Sequence, residues 1–327
     1  MKSIKYVLTI AMLFSAIIRA QDITIGNKKI DISGSVDAYF RNNISAPNDE
    51  DQISTPTAFA ENAGFALGMV NIIASHDGKK VGFVGDLVFG PRGEVASSSV
   101  VNQLFVYWKV SDKFKLTFGK FNTYIGYELI SPLDNFNYST SYLFSNGPFS
   151  HTGLKAEYAP NKDWSFLFAL MNQADADFNT NGRYAAGLEI GYSGHFLNFL
   201  YENDNLGFEV DYACNFDITS KYRVGINASY DRNDGSGFYG VALYPQYTIN
   251  EKYAIGLRTE YFETFSNVVS DDPNVLAFTL TGDIKIENLI IKPELRLDDW
   301  SENVFVDTDL NPADTLSSFL LAAIYKF

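Results

Sequence analysis

Two neighbouring stretches place their charges on one parity, and that alternation constrains the fold more than any other feature of the chain. In residues 206-217, Phe208, Val210, Tyr212, Cys214 and Phe216 alternate with Glu209, Asp211, Ala213, Asn215 and Asp217. In residues 221-232, Tyr222, Val224, Ile226, Ala228 and Tyr230 alternate with Arg223, Gly225, Asn227, Ser229 and Asp231. Side chains of an extended strand point alternately to opposite faces, so the two faces meet different media. Sixteen such segments run from 31-42 to 315-327, most of them near the roughly nine to eleven residues that a tilted strand needs to cross a bilayer. A lipid-facing Arg or Lys costs about 2–4 kcal/mol near the midplane. The charged parity must therefore face a wet lumen.

The links between segments alternate in length. Short ones such as Ser111-Asp-Lys113, Ser193-Gly194, Asn250-Glu251 and Glu287-Asn288 follow the even-numbered segments, and mostly longer polar ones lie between. Tight turns at one end and long loops at the other are the arrangement of outer-membrane barrels, with the turns periplasmic. The expected fold is all-β, a transmembrane antiparallel barrel of about 16 strands with a long third extracellular loop. Two segments fit less well: Pro293 forfeits a ladder hydrogen bond inside the fifteenth, and the seventh, Trp164 to Asn172, is apolar on both faces.

Composition agrees once alternation is allowed for. A chain that is 46% hydrophobic reads as soluble, but a barrel that alternates lipid-facing and lumen-facing residues averages to the same value. A basic start at Lys2 and Lys5, an apolar run from Tyr6 to Ile18 and a small residue at Ala20 read as a signal peptide over 1-20, which leaves 21-327 as one barrel domain. The apolar run is too short to span a bilayer. Losing Lys2, Lys5 and Arg19 moves the net charge from −14 to −17, which argues against a nucleic-acid partner. The single cysteine, Cys214, excludes an internal disulfide and falls on the apolar parity, as an inert buried thiol would. The last segment ends Phe319-Leu-Leu-Ala-Ala-Ile-Tyr-Lys-Phe327. It is similar to the terminal strand of bacterial outer-membrane proteins, whose final aromatic residue is read by the barrel-assembly machinery. The expected location is the outer membrane of a Gram-negative bacterium.

The longest link, Asn122 to Pro148, is 27 residues carrying Gly126, Pro132, Gly147 and Pro148. A loop of that length is usually functional. Its Tyr124, Ile125, Tyr127, Leu129 and Ile130 are too apolar for a solvated tip, so the loop is expected to fold into the barrel and narrow it. The stretches Phe118-Gly-Lys-Phe-Asn-Thr-Tyr-Ile-Gly-Tyr-Glu128, Asn137-Tyr-Ser-Thr-Ser-Tyr142 and Pro148-Phe-Ser-His-Thr-Gly153 resemble the OmpL-like β-barrel porins. The resemblance extends over most of the mature chain as a pattern of strands and loops. It implies a porin barrel and names no substrate.

No catalytic, cofactor or metal site is expected. The three histidines, His76, His151 and His195, fall at different ends of the barrel, and no phosphate-binding, dinucleotide or zinc spacing is present. What remains is charge on the inward parity. Arg223, Arg258, Glu260, Lys292, Glu294 and Arg296 fall on segments eleven to fifteen, and Lys155 and Glu157 on the sixth. With Glu128 and Asp134 of the loop facing the basic residues across the lumen, these are the candidates for a pore constriction. The expected function is passive diffusion of small hydrophilic solutes with a weak preference for cations. Two alternatives stay open. One is a substrate-selective channel, for an oligosaccharide for example, if Tyr39, Phe105, Tyr107 and Phe121 line up as a stacking track. The other is a non-conducting barrel with a structural or surface-interaction role. Expected partners are membrane lipid and lipopolysaccharide; the acidic stretches Asp49-Glu-Asp51, Asp175-Ala-Asp177, Asp271-Asp272 and Asp307-Thr-Asp309 read first as solvated surface, with divalent-cation binding at the lipopolysaccharide layer as the alternative. They also include the assembly machinery through Phe327 and further copies of the chain, as a homotrimer or a monomer.

Overall fold

The computed structural model describes residues 23–25, 28–97, 99–203, 206–268 and 272–327; the expected leader at 1-20 lies outside them. Sixteen antiparallel strands form a closed ring. They are β1 Lys28–Asn43, β2 Gly64–Asp77, β3 Val81–Phe89, β4 Val101–Ser111, β5 Phe114–Asn122, β6 Ser150–Tyr158, β7 Trp164–Met171 and β8 Ala185–Tyr192. The second half comprises β9 His195–Tyr201, β10 Phe208–Asp217, β11 Tyr222–Asn233, β12 Ser236–Thr248, β13 Tyr253–Phe265, β14 Asn274–Ile286, β15 Leu289–Trp300 and β16 Thr315–Lys326. Each pairs with its chain neighbour, and β16 returns to β1 in a register running from Ser318↔Asn43 to Lys326↔Ser35. Gly34 and Phe327 seal the seam with two backbone hydrogen bonds of 3.0 Å. A closed ring has no strand edge to protect.

Parity sorts the side chains as lipid and lumen require. Along β14, Leu276, Phe278 and Leu280 are exposed on the outer surface while Val275, Ala277, Thr279 and Thr281 are buried within. Exposed aromatics gird both rims: Trp164, Tyr192, Tyr222 and Tyr253 lie at the end of the short turns, and Phe65, Tyr201, Tyr230 and Tyr239 at the end of the loops. Replacing Leu280 by Arg is expected to cost about 2–4 kcal/mol, read as a lower urea midpoint for barrel unfolding in lipid vesicles. An unchanged midpoint would mean that this face does not meet lipid.

The alternation of link lengths has one exception. At the loop end, β11 and β12 are joined by Asp234-Gly235 alone, with φ of 47° and 91°, the two positive angles of a type I′ hairpin. Pro293 is accommodated because Gly282 lies across from it: a Cβ there would meet the Pro293 ring at 3.2 Å, and the ladder skips this position.

Candidate functional site

The link between β5 and β6 does not cap the barrel. It runs down into the lumen and along the inner wall, carrying a short helix, α2, Tyr142–Asn146. Another short helix, α1, Pro91–Ala96, follows β3 and also turns inward. The loop's first residues fasten it to the wall of β6 to β12. Thr123 hydrogen-bonds His151 at 3.0 Å, the Tyr124 hydroxyl donates to the Phe199 carbonyl at 2.8 Å, and the Gly126 amide donates to Asp211 at 2.9 Å. Ile125 packs with Phe121, Met171, Ala185 and Leu200. That contact explains the apolar inner face of β7, which no aqueous lumen would have required. Tyr127 stacks on Tyr244 with centroids 4.3 Å apart. The stack occupies the space over Gly225, where a Cβ would lie 2.3 Å from the Tyr127 hydroxyl.

The middle of the loop is held through its backbone by charged residues of the opposite wall. Arg258 on β13 pairs with Glu128 at 2.7 Å and donates to the Ser139 carbonyl at 2.6 Å. Arg296 on β15 donates to the Thr140 carbonyl at 2.7 Å and forks onto Asp298. Lys292 donates to the carbonyls of Asn135 and Phe136 at 3.1 and 2.9 Å. The carboxylates take the amides. Glu294 accepts from Tyr138 at 2.9 Å and from Ser139 at 3.2 Å, and Glu260 accepts from Tyr142 and Leu143, both at 2.9 Å. Those last two amides open α2, where donors have no partner within the helix. Its N-cap, Ser141, accepts from Phe144 at 3.0 Å and both its amide and hydroxyl donate to Glu128.

The candidate residues therefore separate into groups. Glu128, Arg258, Glu260, Lys292, Glu294 and Arg296 come together, buried, and their hydrogen-bonding capacity goes into gripping the loop rather than into facing one another across water. Arg223 sits toward the turn end, paired with Asp217 at 2.6 Å. Asp134 is exposed and, like Arg223, lines a cavity of about 650 Å3 at the turn end, below the loop. Lys155 and Glu157 lie on β6, across the barrel from β13 and β15. Of the proposed stacking rings, Tyr39 is buried against Tyr138 and Phe121 against His151, so the four do not form one exposed track.

Three further anchors were not among the candidates. Asp37 on β1 accepts from the Tyr138 hydroxyl, whose pKa burial pushes well above the ordinary value, keeping it a donor. Asp211 holds Gly126, and Arg92 on α1 donates to the Ile130 and Tyr138 carbonyls at 2.8 and 3.2 Å while lying over the Phe59 ring at 4.1 Å. The inward parity of Asp37 and Asp211 was readable from their strands. Nothing in the sequence around Arg92 marks it.

The comparisons agree with this architecture. The family model "Putative beta-barrel porin-2, OmpL-like" matches residues 29–327. No curated protein sequence matches the chain. Among solved structures, OmpT of Vibrio cholerae is similar with a TM-score of 0.60 at 13% identity, covering 94% of this chain and 100% of that one. The outer membrane channel DcaP of Acinetobacter baumannii gives 0.62 at 12% identity, covering 93% and 99%. An anion-selective porin from Comamonas acidovorans gives 0.60 at 9% identity, covering 91% and 99%. At these identities the likeness is one of fold.

Proposed function

The chain belongs to the OmpL-like β-barrel porin-2 family, and from that premise we propose that it is a passive diffusion channel for small hydrophilic solutes, narrowed from within by its third loop. The observation that carries the reading is the one-sided docking of that loop. Its middle, from Glu128 to Leu143, is gripped by β13 to β15 and by β1. Toward the turn end, below the seats of Thr123 and Ile125, the inner wall from β4 to β8, bearing Tyr107, Lys109, Lys115 and Lys155, is the side left for a passage.

In this reading the protein lies in the outer membrane, delivered by the leader at 1-20, with Phe327 presented to the assembly machinery. The acidic loops favour cations at the loop-end mouth, an effect screened over roughly 8 Å at physiological salt. Self-association as a trimer fits the fold; one solved form of OmpT is described as a trimer. A second reading is a closed barrel, favoured by the density of buried bonds between loop and wall.

Purified protein in a planar bilayer decides between them. Steady unit currents, with a reversal potential in a potassium chloride gradient lying modestly to the cation side, are the expected result. Absence of current from correctly folded barrel would sink the channel reading. A clear anion preference would remove the role given to the acidic mouth.

A further inference from the structure

We propose that the turn-end part of the wall from β4 to β8, which the loop does not cover, carries a binding site for small organic oxyanions, carboxylates or phosphates with a compact apolar body. The inference deepens the porin reading and rests on it for its physiological meaning. Its geometry is independent of whether current flows.

A cavity of about 790 Å3 opens at the turn end along β4 to β8, and Lys79, Lys80, Lys109, Lys113 and Lys115 line it against three carboxylates. In a chain whose net charge is −14, a lining of five lysines against three carboxylates is locally basic. They have a particular arrangement. Lys109 and Lys115 are cross-strand partners on β4 and β5, and their ammonium groups lie 5.7 and 5.9 Å from the centroid of the Tyr107 ring. Among the described residues each has one ion-pair partner, Asp77 for Lys109 and Glu157, at 3.0 Å, for Lys115.

One step deeper on the same inner face lies Lys155, the cross-strand partner of Thr117. Its ammonium group sits 4.5 Å over the Phe121 ring, and among the described residues no carboxylate lies within ion-pair distance of it. A ring face compensates an ammonium group only partly. A half-buried cation so placed gains from an added anion that can take up its N–H donors in charge-assisted hydrogen bonds. The Tyr107 ring, set between the two ammonium groups, offers apolar surface to the body of the ligand, and Leu167, the cross-strand partner of Glu157 and of Glu189, lines the cavity beyond it. Lysines at the mouth and a deeper lysine on one wall would draw an anion inward, with Glu157 and Glu189 limiting how firmly it is held. A conducting site must hold its solute weakly enough to release it.

The test is calorimetric titration of the detergent-solubilised barrel with benzoate, with inorganic phosphate and with benzamide. The expected result is saturable binding of benzoate and of phosphate, mutual competition between them, and none for benzamide, which keeps the ring and lacks the charge. The triple variant Lys109→Gln, Lys115→Gln, Lys155→Gln should bind benzoate at least roughly tenfold more weakly, while Lys221→Gln, at a turn outside the cavity, should not change it. Wild-type protein that fails to bind benzoate, or that binds benzamide equally well, overturns the proposal without reference to any variant. Unchanged affinity in a folded triple variant also overturns it. A barrel that binds benzoate and carries no current would refute the channel reading alone, whereas one that conducts and does not bind would refute this site alone.

Discussion

Deleting Thr123 to Ser145 is expected to raise the single-channel conductance several-fold. The loop's middle and α2 occupy the lumen against β13 to β15, and conductance follows the cross-section left open. The deletion is geometrically mild for the barrel itself. Asn122 pairs directly with Ser150, so the remaining Asn146-Gly-Pro-Phe149 can close the β5–β6 hairpin as a four-residue turn, a common hairpin length. Arg258, Glu260, Lys292, Glu294 and Arg296 would lose their loop partners, yet they would then line a water-filled channel, where charged side chains are tolerated. Conductance unchanged in a variant that still runs as a compact unboiled band would mean that the loop is not the constriction.

Replacing Arg258 by Met is expected to release the same loop without shortening it. The guanidinium is fully buried and serves Glu128, the Ser139 carbonyl and Thr279 at once. Removing one member of a buried pair leaves the other uncompensated, at a cost of about 3–5 kcal/mol. Here the cost falls on loop docking and not on barrel closure, because the ladder partners of β13 are unaffected. The measurable results are protease cleavage between Glu128 and Ser145 in a barrel that is otherwise resistant, and flickering current. The double variant Arg258→Met, Glu128→Gln should recover part of the loss, since it no longer strands Glu128. A loop as resistant to protease in R258M as in the parent would show that the pair is dispensable and that the backbone bonds to Glu260 and Glu294 suffice.

The strands were legible to within three residues at either end because each carries its own evidence. Lipid outside and polar groups inside impose a period of two that needs no distant information. The inward direction of Arg258, Lys292 and Arg296 was equally local. What they face was not. Glu128 and Arg258 are 130 positions apart, and no periodicity within a strand announces a loop contributed from elsewhere. The reading of opposed charges across water therefore gave way to one in which the charges serve loop backbone. The apolar inner face of β7, a misfit when the lumen was taken as uniformly wet, was the local trace of Ile125 packing above it.

The seating of the third loop also makes the constriction depend on the far end of the chain. Tyr138 bonds Glu294, which follows it by 156 positions, and Thr140 bonds Arg296 at the same separation. The pocket that receives the loop's middle is complete only when β15 lies beside β14. Contacts of such long sequence separation are slow to form. The loop's first residues need only β6 to β12, whereas its middle, from Glu128 to Leu143, needs β13 to β15 as well. Closing the barrel wall is thus the condition for narrowing it, and the constriction can be no better formed than the ring that holds it.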